Sequence, residues 1–286
     1  MNGRNAGATR SMSDFTIRFW GVRGSLPCPG PATKRYGGNT PCVEVRCGER
    51  LIILDAGTGL RELGDQLMQD GGAIDADLLL THCHYDHVMG IPFFAPFYHP
   101  QHRFRMWAGN LLPDFRLKSV MQTMMSEPLF PVGIDTFKAD IDYRDFRAGE
   151  TVAPGGGVTI RTVALNHPGG ATGYRIEYKG RAVAYLTDNE GEPEDRDEAL
   201  IAAARGADLV IYDTAYTEDE IEEKKGWGHS TWQYGVRLAD AAGAGTFCLF
   251  HHAPEHDDAA MDALVAEAQA ARPGTIAAIE GQIIRL

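Results

Sequence analysis

Short apolar runs separated by glycine-rich polar segments recur along the whole chain, a rhythm that predicts strands joined by turns and helices. Residues 15–19 (Phe-Thr-Ile-Arg-Phe) and 42–46 (Cys-Val-Glu-Val-Arg) alternate like strands covered on one face. The continuous apolar stretches at 51–54, 77–80 and 209–212 read as strands buried on both faces. Further strands are expected at 158–163, after a Pro154–Gly157 turn, and at 246–250. Residues 174–178 and 182–186 read as a pair around the turn Lys179-Gly180. Helices are expected at 60–68, 116–126, 195–205 (ending near Gly206), 231–242 and 257–271, the last stopped by Pro273-Gly274. The segment 91–98, Ile-Pro-Phe-Phe-Ala-Pro-Phe-Tyr, cannot be a regular helix, because each proline removes a backbone donor and fixes φ. No linker or low-complexity stretch interrupts the pattern. One domain over residues 14–286 is expected, behind a polar, disordered leader at 1–13. Strands and helices in both halves, with two sheets to cover, suggest a layered α/β sandwich.

Composition changes this picture in three places. The 286 residues, 44% of them apolar, suffice for a substantial core, and length alone permits one large domain or two small ones. The net charge of −12 argues against a broad polyanion-binding surface, although bound dications would still permit phosphate chemistry. Five cysteines (Cys28, Cys42, Cys47, Cys83, Cys248) are an odd number with no secretory signal, which points to reduced thiols. No window reaches the ~18–20 apolar residues of a membrane span. A cytoplasmic enzyme is the resulting expectation.

The chemistry concentrates at residues 81–87, Thr-His-Cys-His-Tyr-Asp-His. This heptad places His82, His84, Asp86 and His87 directly after a buried strand, and imidazole and carboxylate are the usual ligands of zinc and its neighbours. Residues two apart in extended chain share a face, so His82 and His84 can converge on one ion, and a following turn would aim Asp86 and His87 at a second point. Other polar residues also fall at the ends of expected strands, where open α/β architectures bind ligands. They are His167, Asp188, Asp213, His229 and the pair His251-His252. Taken singly, each reads as a loop histidine, a turn former or a helix cap. Taken together with the heptad, His167, Asp188 and one of His251 or His252 would complete two coordination spheres around a shared carboxylate. The aromatic cluster at 93–98 suits either a pocket wall or plain packing. Arg23 and the Gly37-Gly38-Asn39-Thr40 segment read more simply as turn residues than as phosphate contacts.

The heptad resembles the His-x-His-x-Asp-His signature of the metallo-β-lactamase superfamily, and the later His, Asp and His follow in that superfamily's order. The resemblance runs from about Phe15 to the last residue and implies a four-layer αββα sandwich with a dinuclear site at one edge of the two sheets. Gly228-His229-Ser230-Thr231 and the later Leu249-Phe250-His251 resemble the ribonuclease Z and cyclic-phosphate phosphodiesterase branch. On that pattern His251, rather than His252, is the ligand. The resemblance then gives His82, His84, His167 and Asp188 to one ion, and Asp86, His87, His251 and the shared Asp188 to the other. His229 becomes the proton donor or phosphate contact, with Asp86 and Asp213 counted beside it as catalytic residues and Asp213 orienting a ligand or His229. The β-lactamase branch itself uses a cysteine ligand; here Cys83 is expected to point away from its neighbouring histidines. Two divalent metals are implied, zinc first, with manganese or iron also suited to these donors.

The function expected from this resemblance is hydrolysis of a small or cyclic phosphodiester by a metal-bridging hydroxide. The alternatives are a lactonase or thioesterase, a di-iron protein reducing oxygen or nitric oxide, and a metal-binding protein without activity. Residues 92–150 hold aromatics and mixed charges in place of the basic, glycine- and proline-rich arm with which ribonuclease Z grips transfer RNA, so structured RNA is disfavoured as a partner. No membrane association is expected, and nothing in the sequence opposes a homodimer.

Overall fold

A computed structural model describes residues 14–191 and 197–286. The leader at 1–13 and the first residues of the helix expected from 195 lie outside the described residues. Strands β1 (Phe15–Gly21), β2 (Cys42–Cys47), β3 (Arg50–Leu54), β4 (Asp75–Leu80), β5 (Arg103–Ala108) and β6 (Asp140–Asp145) form one sheet in sequence order. The chain then enters a second sheet, again in sequence order. Its strands are β7 (Thr151–Gly155), β8 (Val158–Leu165), β9 (Ala171–Tyr178), β10 (Arg181–Leu186), β11 (Leu209–Asp213), β12 (Thr246–Phe250) and β13 (Ile276–Ala277). Finally β14 (Ile283–Arg285) returns to the first sheet and pairs antiparallel with β1, so each sheet has seven strands. Both sheets begin antiparallel and turn parallel: from β3 to β6 in the first, from β10 to β13 in the second.

Alternation of side chains builds four layers from these strands. Phe15, Ile17, Phe19, Ile52 and Leu54 of the first sheet meet Ile176, Val183, Tyr185, Ile211 and Phe250 of the second in a dry central layer. On the outer face of the first sheet lie α1 (Gly59–Asp70), the one-turn α2 (Tyr85–Val88) and α3 (Leu117–Met124). There Leu60, Leu63 and Leu67 of α1 cover Leu78 and Leu80. The outer face of the second sheet is covered by α4 (Glu198–Ala204), α5 (Trp232–Ala241) and α6 (Asp258–Ala271), with Leu238 and Met261 packed in the same core as Val210 and Leu249. The fold is therefore the expected αββα sandwich. Each large apolar side chain buried in it contributes about 1.5–3 kcal/mol relative to exposure. Side-chain caps fix where the later helices start: Asp257 accepts from the amides of Ala259 and Ala260 (3.0 and 2.8 Å), and Thr231 from that of Tyr234 (3.1 Å).

Two local expectations are corrected. The turn at Pro154–Gly157 shrinks to Gly156-Gly157, because Pro154 and Gly155 belong to β7, an edge strand where a missing amide costs no ladder bond. The helix expected over 116–126 is shorter, α3. Of the two roles left open for the aromatic segment, Phe94 and Phe97 take packing: both are fully buried and meet Phe104 edge-on at 5.5 and 4.9 Å. Strand β5 escaped the apolar pattern because Arg105 interrupts it. Its guanidinium is nonetheless accommodated, since Arg105 lies opposite Asp77 in register and donates to it at 2.7 Å. Arg23 is fully buried and donates to the carbonyls of Gly37, Ala253 and His256, so it clamps three loops. Among the described residues no helix is long and apolar enough to cross a membrane.

Candidate metal centre

Strands β3, β4, β8, β10, β11 and β12 each hand over to a polar residue at the carboxyl end, and these ends meet along one rim. The residues are Asp55, His82, His167, Asp188, Asp213 and His251. Two parallel strand sets packed face to face produce this convergence. The rim is polar because it is where the apolar strands stop.

Past β4 the chain runs extended through His82 to His84 and then tightens into α2, which turns Asp86 and His87 inward. The rings of His82, His84 and His167 crowd together, with centroids 4.4–4.9 Å apart. Nδ1 of His84 lies 3.1 Å from Nε2 of His167. Beside them, His87 Nε2 is 3.2 Å from both Asp86 Oδ2 and Asp188 Oδ2, and His251 Nε2 is 3.4 Å from Asp86 and 3.3 Å from Asp188. Asp188 stands between the two groups, its Oδ1 3.9 Å from the Nε2 atoms of His82 and His167. Asp188 and His251 both have left-handed backbones (φ 61° and 62°), strain of the kind stored at functional sites.

The structure thus gathers His82, His84, Asp86, His87, His167, Asp188 and His251 at one place. It separates His252 from them: that ring faces the other way, donates from Nε2 to the carbonyl of Ala278 (2.9 Å), and is held down to about 3 by burial. Cys83, half-buried, packs at the edge of the core under α1 and α3 and lines the cleft beside the histidines. Asp213 accepts from His229 Nδ1 (2.9 Å) and from the backbone amide of Asp188 (3.0 Å), fixing both. The His229 ring stacks on His251 with centroids 4.8 Å apart. Burial alone would push its pKa down, but the charge and hydrogen bond of Asp213 outweigh that and hold it up at about 9.

Several supporting residues were not singled out in the sequence. Asp55, fully buried, receives the Thr81 amide (2.8 Å) and the Tyr185 hydroxyl (2.9 Å) and lies 2.9 Å from His87 Nδ1. It stands behind the candidate ligand His87 as the carboxylate that metal sites commonly need. Its available signal was an aspartate directly after the apolar run 51–54 of β3. The Ser25 amide donates to Asp86 (2.8 Å), and the Gly228 carbonyl accepts from His167 Nδ1 (2.8 Å). Glu190 in turn holds the amides of Gly226 and Gly228, both at 2.8 Å.

The electrostatics call for cations. Asp55, Asp86, Asp188 and Asp213 are all buried, and among the described residues no lysine or arginine bridges any of them. Burial pushes His82, His84 and His167 down, which keeps them neutral with a lone pair to donate. His87, despite burial, is drawn well up by Asp188, Asp86 and Asp55. The Nε2 atoms of His82, His87 and His251 are buried without a hydrogen bond of normal geometry. The donor atoms fall into clusters, His82–His84–His167 and Asp86–His87–His251 among them, within each of which all lie within 4.8 Å of one another. This donor set fits two divalent ions with Asp188 shared. The cleft above it, about 330 Å³, is lined by His84, Asp86, His167, Asp188 and His229, with Tyr85 and Trp227 at its rim.

An αββα sandwich with paired His/Asp clusters along one strand rim defines a class of metal-binding proteins. The family model of the Beta-lactamase superfamily domain matches residues 50–252, and the chain belongs to the metallo-β-lactamase superfamily. It is similar to a Ribonuclease Z of Haloarcula marismortui, 26% identical over 316 residues that cover 92% of this chain and 94% of that one. In fold it is similar to the metallo-β-lactamase fold protein YhfI from Bacillus subtilis (TM-score 0.71, 19% identity, 95% and 99% of the two chains covered). A structure described as a new diphosphatase from the PhnP family is comparable (TM-score 0.68, 19% identity, 95% and 98% covered).

Proposed function

We propose that the protein is a metal-dependent phosphodiesterase acting on a small or cyclic phosphodiester. The observation that carries this reading is the His229–Asp213 pair set against the ligand cluster, with Nδ1 committed to Asp213 and the ring bordering the cleft. His82, His84, His167 and Asp188 would hold one ion, and Asp86, His87, His251 and Asp188 the other. Two bound divalent ions, zinc being the first choice for these donors, supply an activated water and a charge clamp on phosphoryl oxygens. The chain supplies the rest. Asp213 keeps His229 oriented and protonated, so that its other nitrogen can pass a proton to the departing alkoxide. Asp55 fixes the tautomer of His87, and the Ser25 amide fixes the rotamer of Asp86. Among the described residues no lysine or arginine lines the cleft, which suits a monoanionic diester better than a polyanion. Similarity over nearly the whole chain to a protein described as ribonuclease Z, and the fold shared with one described as a diphosphatase, support phosphoryl chemistry.

The test is turnover by metal-reconstituted protein of bis(p-nitrophenyl) phosphate, cyclic nucleotides, cyclic ribose phosphates and short RNA, beside a lactone and thioester panel. Preference for the small diesters is expected. Turnover confined to lactones or thioesters would reassign the centre to carbon–oxygen or carbon–sulfur bond cleavage.

A further inference from the structure

Beside the metal cleft opens a second cavity of about 300 Å³, and the two share Cys83 and Tyr85 as a common wall. Those residues alternate with the ligand candidates His82, His84 and Asp86, so the cavity begins one residue from the metal donors. Its floor is Val88, Val120 and Met124, and its mouth is Phe115 and Leu129, 63% and 66% exposed. Among the described residues no charged side chain lines it, and the hydroxyls there besides that of Tyr85 are those of Ser119 and Thr123. Apolar side chains left open to solvent next to a reaction centre mark a binding surface more often than chance exposure.

We propose that the substrate carries an apolar substituent, a single ring or a short alkyl chain, that seats in this side cavity while its reacting group lies over the metal donors. The inference rests on the metallohydrolase reading above and adds a substrate class to it. Adjacency argues for this occupant: Cys83 and Tyr85 line both the cleft and the cavity, so a substituent that clears Tyr85 goes from one to the other. Size limits it, since about 300 Å³ is the lower end of the ~300–1,000 Å³ range of small-molecule sites. Polarity excludes a nucleobase as the preferred guest, because its edge would find few hydrogen-bond partners there.

Calorimetric binding to the metal-loaded protein tests this with two series of ligands, n-alkyl phosphonates from methyl to hexyl plus phenylphosphonate, and the matching carboxylates. Affinity is expected to rise about three- to fourfold per added methylene until the cavity fills, equally in both series. Leu129→Asp, and separately Phe115→Ala, should flatten this rise while leaving methylphosphonate affinity and metal content unchanged. A flat series with the unsubstituted protein would overturn the proposal. So would a flat series accompanied by a dimer in sedimentation that Leu129→Asp dissociates, because the face would then belong to a second copy. The chain-length slope reports on the cavity alone. Preference for phosphonate over carboxylate reports on the phosphodiesterase reading, so either can fail without the other.

Discussion

At the residue scale the centre divides into groups that would hold cations and groups that hold those groups. His229 lies outside the proposed ligand sets, and its Nδ1 bond to Asp213 leaves one nitrogen for chemistry. His229→Ala is expected to lower kcat by about 10²–10⁴ while both ions stay bound, checked by elemental analysis beside steady-state kinetics. Unchanged turnover would remove His229 from the proton path. Asp55→Asn keeps the shape behind His87 but removes the charge, and a tenfold to hundredfold loss of metal affinity in chelator competition is the expected result. The proposed ligands stood out together because histidine and aspartate are rarely gathered at strand ends without a reason, whereas the choice of His251 over His252 came from the family resemblance. Asp55 did not stand out. An aspartate before Ala56-Gly57 looks like any turn former, and what sets it apart, Thr81 and Tyr185 closing on it from β4 and β10, exists only after the sheets have packed.

At the scale of elements, two glycines decide whether the loops can approach the ligands. A Cβ on Gly24 would sit 2.4 Å from His251 Nδ1, and one on Gly228, whose φ is +85°, only 2.2 Å from His167 Nδ1. Alanine at either place must displace a different histidine. Each variant is expected to fold, to lose preferentially the ion its histidine would hold, and to approach half the metal content of the parent by elemental analysis. Retention of full metal by both would show that the loops can yield. The central strands were legible because their apolar runs are long and unbroken. Strands β5 and β6 were not: Arg103, Arg105, Asp140, Asp142 and Arg144 break the pattern, and pairing across the sheet accommodates these charges, as between Arg105 and Asp77. Two-residue β13 carries no periodic signal at all.

At the scale of the whole molecule, the four buried carboxylates of the centre, bridged by no lysine or arginine among the described residues, sit in a chain whose net charge is −12. Chelation is therefore expected to lower Tm and metal addition to restore it, by scanning calorimetry, with about 4 kcal/mol recovered at a thousandfold excess over Kd. A Tm indifferent to chelator would mean that the carboxylates are neutralised by protons. The layering was legible at this scale from the alternation of strands and helices. The return of β14 to β1 was not, because it depends on pairing between distant ends of the chain.

The passage from β6 to β7 divides the candidate ligands unequally: His82, His84, Asp86 and His87 precede it, while His167, Asp188 and His251 follow. Neither side owns a full proposed coordination set, and Asp188, proposed as a ligand of both ions, belongs to the later one. A break engineered in the connection at 146–150 would leave two fragments that capture metal tightly only after reassociating. The centre is in this sense a coincidence detector for its own halves, and metal uptake would report their reunion.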